Sequence, residues 1–121
     1  ALGLLELIGI ENVRDETVGS LPHGYQRALN IAIALATEPK LLLLDEPTTG
    51  MNPVETDKLM EKIKMLRDER GITIFLVEHD MKAVMNNCDK ITVMSFGVKI
   101  AEGSPEEVSS NEEVIEAYLG R

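Results

Sequence analysis

Leu4, Leu5, Leu7 and Ile8 followed by Gly9 predict a short amphipathic helix stopped by glycine. Residues 11–21 are polar and irregular. From Gly24 to Thr37 the pattern turns helical. Its first turns are polar, with Tyr25, Gln26 and Arg27, and the remainder, ALNIAIALA, is apolar nearly all round, which predicts a helix buried under a sheet. Pro39 and Lys40 end it. Leu41–Leu44 is too short for another helix and too apolar for an edge strand, so a central parallel strand covered on both faces is expected. Asn52-Pro53-Val54-Glu55 reads as a helix start: Asn52 can cap, Pro53 suits the first helical position, and Glu55 can reach back as in a capping box. Leu59, Ile63 and Leu66 then recur on one face, and Gly71 closes the helix. Ile72–Val77 predicts the next strand, and Met81–Asn87 a short helix. ITVM and VKIA, joined through Ser95-Phe96-Gly97, predict a terminal hairpin. Ser104-Pro105-Glu106-Glu107 repeats the cap–proline–glutamate start, and Asn111 is expected to begin a last helix that ends at Gly120 and packs on the body.

This order of helices and strands is α/β, with parallel strands joined by crossover helices. No internal repeat or low-complexity segment is present. The chain has 121 residues, of which 44% are hydrophobic, enough to build a core. A net charge of −9 argues against nucleic acid and anionic lipid as partners, but not against a nucleotide held by local backbone groups and a metal. Cys88 is the only cysteine, so no internal disulfide can form. A small packed thiol in a reducing cytoplasm is expected. No basic-then-apolar leader and no membrane-length apolar run is read.

Three stretches can carry chemistry. Asp45 and Glu46 end the first strand, where the carboxyl edge of a parallel sheet lines a ligand crevice. Two adjacent acids there can divide the labour, one holding hydrated Mg²⁺ and the other orienting and deprotonating water. The same pair can also simply punctuate a turn before Pro47. His79, in FLVEHD, is expected on the same sheet edge, either contacting a terminal phosphate or as an ordinary surface histidine. Asp80 can cap the helix that follows. LPHGYQR, Leu21 to Arg27, opens the buried helix. A helix N-terminus favours phosphate, and Gly24 lets backbone approach closely, although an ordinary loop-to-helix junction would look similar.

Taken in order and spacing, LPHGYQR, LLLLDEP, TTGMNP and VEHD resemble the second half of an ATP-binding cassette (ABC) ATPase, over essentially the whole chain. The resemblance implies a partial P-loop NTPase (RecA-like) sheet with a remnant of the helical subdomain. Residues 1–23 would end that subdomain, and residues 24–121 would form the core half and the C-terminal tail. It implies ATP and Mg²⁺ as cofactors, Asp45 as the metal-side acid, Glu46 as general base and His79 as the γ-phosphate contact. Leu21, Pro22, His23, Gly24, Tyr25 and Gln26 would form the signature motif facing ATP on a partner subunit, and Gly50, Met51 and Asn52 the D-loop. The tail, from EHDMKAVMNNCDKITVMSFGVKIAEGSPEEV to VIEAYLG, is similar to ATPases of branched-chain amino-acid importers. Lipopolysaccharide-export and urea-importer ATPases are close alternatives, and a non-catalytic dimerising module is a third.

The resemblance has departures. There is no Gly-Lys dipeptide, hence no phosphate loop, and nothing matches the glutamine loop. The first residue is Ala1, and both loops are expected upstream of it, so this stretch alone is expected to be inactive. The usual Leu-Ser-Gly-Gly-Gln of the signature is Leu21-Pro22-His23-Gly24-Tyr25, without the serine hydroxyl. The implied partners are a second ABC ATPase, either identical or different, transmembrane permease subunits and, indirectly, a periplasmic amino-acid-binding protein. The implied location is the cytoplasmic face of the membrane.

Overall fold

The computed structural model describes residues 1–119. The chain divides into two compact units, Ala1–Val77 and Glu78–Arg121. In the first unit, α1 (Leu2–Ile8) ends at Gly9, whose φ of 80° is left-handed. Lys62 Nζ donates to the Leu7 carbonyl at 3.3 Å, so a cation meets the negative end of this helix. The polar stretch that follows holds two 3₁₀ turns, Glu11–Val13 and Val18–Ser20. Next come α2 (His23–Leu35), β1 (Leu41–Asp45), α3 (Pro53–Arg70) and β2 (Thr73–Val77). The two strands pair in parallel, Leu41 opposite Thr73 through Asp45 opposite Val77. The β1–α3–β2 connection is thus the crossover unit that the pattern predicts.

α3 forms because its two ends are specified locally. Asn52 Oδ1 accepts the Glu55 N–H at 2.9 Å, and Glu55 Oε2 accepts the Asn52 N–H at 3.0 Å, a complete capping box. Gly71 closes the helix at φ 64°. Thr56, Leu59, Met60, Ile63 and Leu66 are buried, and Leu66 is fully so.

Two expectations are corrected here. β1 is not covered on both faces: Leu42 and Leu44 are buried, but Leu41 and Leu43 are 53% and 67% exposed. The physical reason is strand alternation: Leu41 and Leu43 point to the face opposite Leu42 and Leu44, and of the two faces only the latter is packed among the described residues. Likewise α2 is not buried all round. Ala28, Ile31, Ala32 and Leu35 are buried, whereas Ile33 is 60% exposed. α2 also begins one residue early, at His23, and β2 begins one residue late, at Thr73.

The second unit holds α4 (Met81–Asn87), β3 (Ile91–Ser95), β4 (Val98–Gly103), α5 (Pro105–Ser109) and α6 (Glu112–Val114), which continues as a π-helical stretch, Ile115–Leu119. Gly120, the expected end of that last helix, lies outside the described residues. β3 and β4 form the antiparallel hairpin, with a register shift between Val93 and Met94. Ile91, Val93, Val108 and Val114 form the core of this unit, and half-buried Cys88 packs against it. Ser104 repeats the capping box at α5, with Glu107 as its partner. Among the described residues no helix is long and apolar enough to cross a membrane.

Candidate functional site

Asp45 is the last residue of β1 and shares the exposed face of the strand with Leu41 and Leu43. Glu46 leaves the strand with φ 45°, a left-handed conformation that costs a non-glycine residue about 1–2 kcal/mol. Main-chain hydrogen bonds hold it there. Its N–H donates to the Val77 carbonyl at 2.7 Å, and its own carbonyl accepts from the Thr49 N–H at 3.3 Å. Arg27 Nη1, on α2, donates to that same carbonyl at 2.9 Å. The Glu46 carboxylate accepts from the Thr49 hydroxyl at 3.4 Å and is exposed. The turn therefore pins the backbone of Glu46 while presenting its side chain to solvent.

The chain then bends through buried Pro47 and Thr48. Met51 N–H donates to the Thr48 carbonyl at 3.0 Å. Gly50 takes φ 81°, although a Cβ there would meet nothing within 4 Å. The backbone conformation, not space, is thus what favours glycine. Asn52 ends the turn as the cap of α3.

The stretch Leu21–Gln26 crosses from an extended segment into α2. Pro22 is the N-cap residue and supplies no side-chain acceptor, so no side chain caps this helix. Gln26 Nε2 instead donates to the Leu21 carbonyl at 2.8 Å, folding the loop onto the first turn. His23 is exposed, and Gly24 and Tyr25 are half-buried. The space in front of Gly24 is open, with nothing within 4 Å of an added Cβ. An uncapped helix start with an open glycine suits an approaching anion.

His79 belongs to the second unit, two residues past β2, and is exposed. Its N–H donates to the Glu78 carboxylate at 3.2 Å. Asp80 caps α4 by accepting the Ala83 N–H at 3.0 Å, as the sequence allows.

Among the described residues, no group of three or more His, Cys, Asp or Glu is arranged to hold a metal by itself. Mg²⁺ ordinarily takes one or two carboxylates and completes its shell with water and phosphate oxygens. A lone exposed carboxylate at a strand end, Asp45, fits that demand.

Residues 1–49 match the family model described as ABC transporter, and residues 98–121 match the model described as branched-chain amino acid ATP-binding cassette transporter. The chain is 45% identical over 116 residues to the high-affinity branched-chain amino acid transport ATP-binding protein BraF of Pseudomonas aeruginosa. It is 46% identical over 116 residues to LivG of Escherichia coli, which bears the same description. The chain belongs to the ABC transporter ATP-binding family. In each pair the match takes in 96% of this chain and 46% of the relative, so the chain spans about half the length of the curated relatives it matches. Among solved structures, an ABC transporter's ATP-binding cassette in its ADP conformation superposes with a TM-score of 0.87 at 33% identity, covering 99% of this chain and 48% of that one.

Within the ABC cassette, the residue that sequence reasoning passed over is Arg27. It reads there only as part of the polar first turns of α2. The available signal is a cation near the positive end of a helix, which the helix dipole disfavours unless a tertiary partner offsets it.

Proposed function

We propose that this chain is part of an ATP-hydrolysing subunit of an ABC importer for branched-chain or similar amino acids. The observation that carries the reading is the acid pair at the clamped end of β1, with Glu46 pinned by its main chain and its carboxylate presented to solvent. The names of BraF and LivG, together with the match over residues 98–121, favour amino acids over urea or lipopolysaccharide.

In this reading Asp45 helps hold Mg²⁺, which supplies charge neutralisation at the phosphates. Glu46 accepts a proton from the attacking water, and the left-handed turn fixes the direction of its carboxylate. His79 contacts the γ-phosphate. The open start of α2, Leu21 to Gln26, faces nucleotide on a second ABC ATPase, and Gly50, Met51 and Asn52 form the D-loop beside it. Residues 1–23 end the helical subdomain, and residues 24–121 form the core half and tail. The subunit works at the inner face of the membrane with permease subunits and, through them, a periplasmic binding protein.

The test is phosphate release by the full-length subunit containing this chain. Glu46→Gln is expected to cut the rate about 10²–10⁴-fold while ATP binding persists, the range for losing a general base. The 121-residue chain alone, which lacks a Gly-Lys dipeptide, is expected to release phosphate at background rate. A Glu46→Gln subunit that turns over at the wild-type rate would overturn the reading.

A further inference from the structure

We propose that Arg27 is a positioning residue for Glu46, with its guanidinium holding the turn that aims the carboxylate. The inference rests on the reading of Glu46 as general base. Glu46 stands in a left-handed conformation, so its side chain points where the turn sends it only while the turn is held. Two of its backbone ties are local to the sheet and turn: the N–H to Val77 at 2.7 Å and the carbonyl to the Thr49 N–H at 3.3 Å. The Thr49 bond lies within the turn and moves with it. Arg27 Nη1 comes from outside, 19 residues earlier, and reaches the same carbonyl at 2.9 Å.

That bond carries a full charge on its donor, and charge-assisted bonds are about twice as strong as neutral ones. The base of the Arg27 side chain is itself fixed. Ala28 and Ile31, beside it on α2, are 9% and 4% exposed, so this part of the helix is anchored. The guanidinium thus ties α2, whose first turn carries His23 and Gly24, to the backbone of Glu46. A displacement of the start of α2 would reach the candidate base through this side chain.

The experiment measures steady-state ATP hydrolysis by the full-length subunit. Arg27→Ala is expected to lower kcat about 100-fold with KM for ATP nearly unchanged, the scale on which a small misplacement of a reacting group acts. Arg27→Lys is expected to recover most of the rate, because a single carbonyl needs one cationic donor and not a bidentate fork. In a Glu46→Gln background, Arg27→Ala is expected to cost less than about twofold more, since residues acting through one group are not additive. Amide exchange is expected to quicken in the peptide spanning Asp45 to Gly50 and to stay unchanged along α3. An undiminished Arg27→Ala loss in the Glu46→Gln background would overturn the inference by showing that Arg27 acts elsewhere. So would an unaltered kcat in the single variant. A wild-type subunit without hydrolysis sensitive to Glu46→Gln would instead remove the general-base reading beneath it.

Discussion

Glu46 is asked for two things that conflict. Its turn needs a left-handed backbone, which glycine adopts freely, while the proposed chemistry needs a carboxylate. The choice of glutamate over glycine is a local cost accepted at a site. Glu46→Gly therefore separates the two demands. Relieving the left-handed backbone is worth about 1–2 kcal/mol, and the freer unfolded chain costs about 0.5–1 kcal/mol. The hydrogen bond that the Glu46 side chain receives from the Thr49 hydroxyl is long, at 3.4 Å. The full-length variant is expected to match or exceed wild-type stability by up to about 1 kcal/mol, read by urea denaturation, while losing hydrolysis. A loss of stability above about 1 kcal/mol would mean that the carboxylate, not the backbone, holds the turn.

The hairpin of the second unit repeats the conflict one level up. Its turn places Phe96 at φ 47° and Gly97 at φ 78°, the paired positive values of a type I′ turn. Such turns favour Asn-Gly, yet Phe96 stands there with its side chain fully in solvent. Phe96→Asn is expected to raise hairpin stability by about 0.5–1 kcal/mol and the melting temperature by a few degrees, since it relieves backbone strain and exposes nothing new. A lower melting temperature would refute this. Elements of this kind were legible wherever their determinants are local. Asn52 with Glu55 and Ser104 with Glu107 announce helix starts within four residues, and both capping boxes are present. The acid pair at the end of β1 was legible for the same reason. What stayed hidden depends on distant chain. Leu41–Leu44 is uniformly apolar, so nothing in it says that only one face is covered. Arg27 meets its acceptor 19 residues away, and glutamate gives no sign of a left-handed backbone. Phe96-Gly97 looked like a turn, but its primed type follows from strand twist and not from the phenylalanine.

At the scale of the molecule, the first unit presents a bare sheet face. Strand alternation and the parallel register bring Leu41, Leu43, Phe75 and Val77 to one side, at 53%, 67%, 60% and 46% exposure, with Asp45 among them. Four large apolar side chains on a contiguous face favour burial at roughly 25 cal/mol per Å² covered. Both strands are also sheet edges among the described residues, so their unpaired backbone groups offer a further route to association. The opposite face, with Leu42 and Leu44 buried, has no such drive. The 121-residue chain by itself is therefore expected to self-associate, with a weight-average mass in sedimentation equilibrium that climbs with concentration. Replacing Leu43 and Phe75 together by lysine is expected to return it to a monomer. Both side chains already face water, so thermal melting should change little, and the new cations flank Asp45 on the same face. A wild-type chain that stays monomeric at every concentration would show that this face is too rough or too small to pair. A double-lysine variant that still associates would place the contact on the strand edges instead.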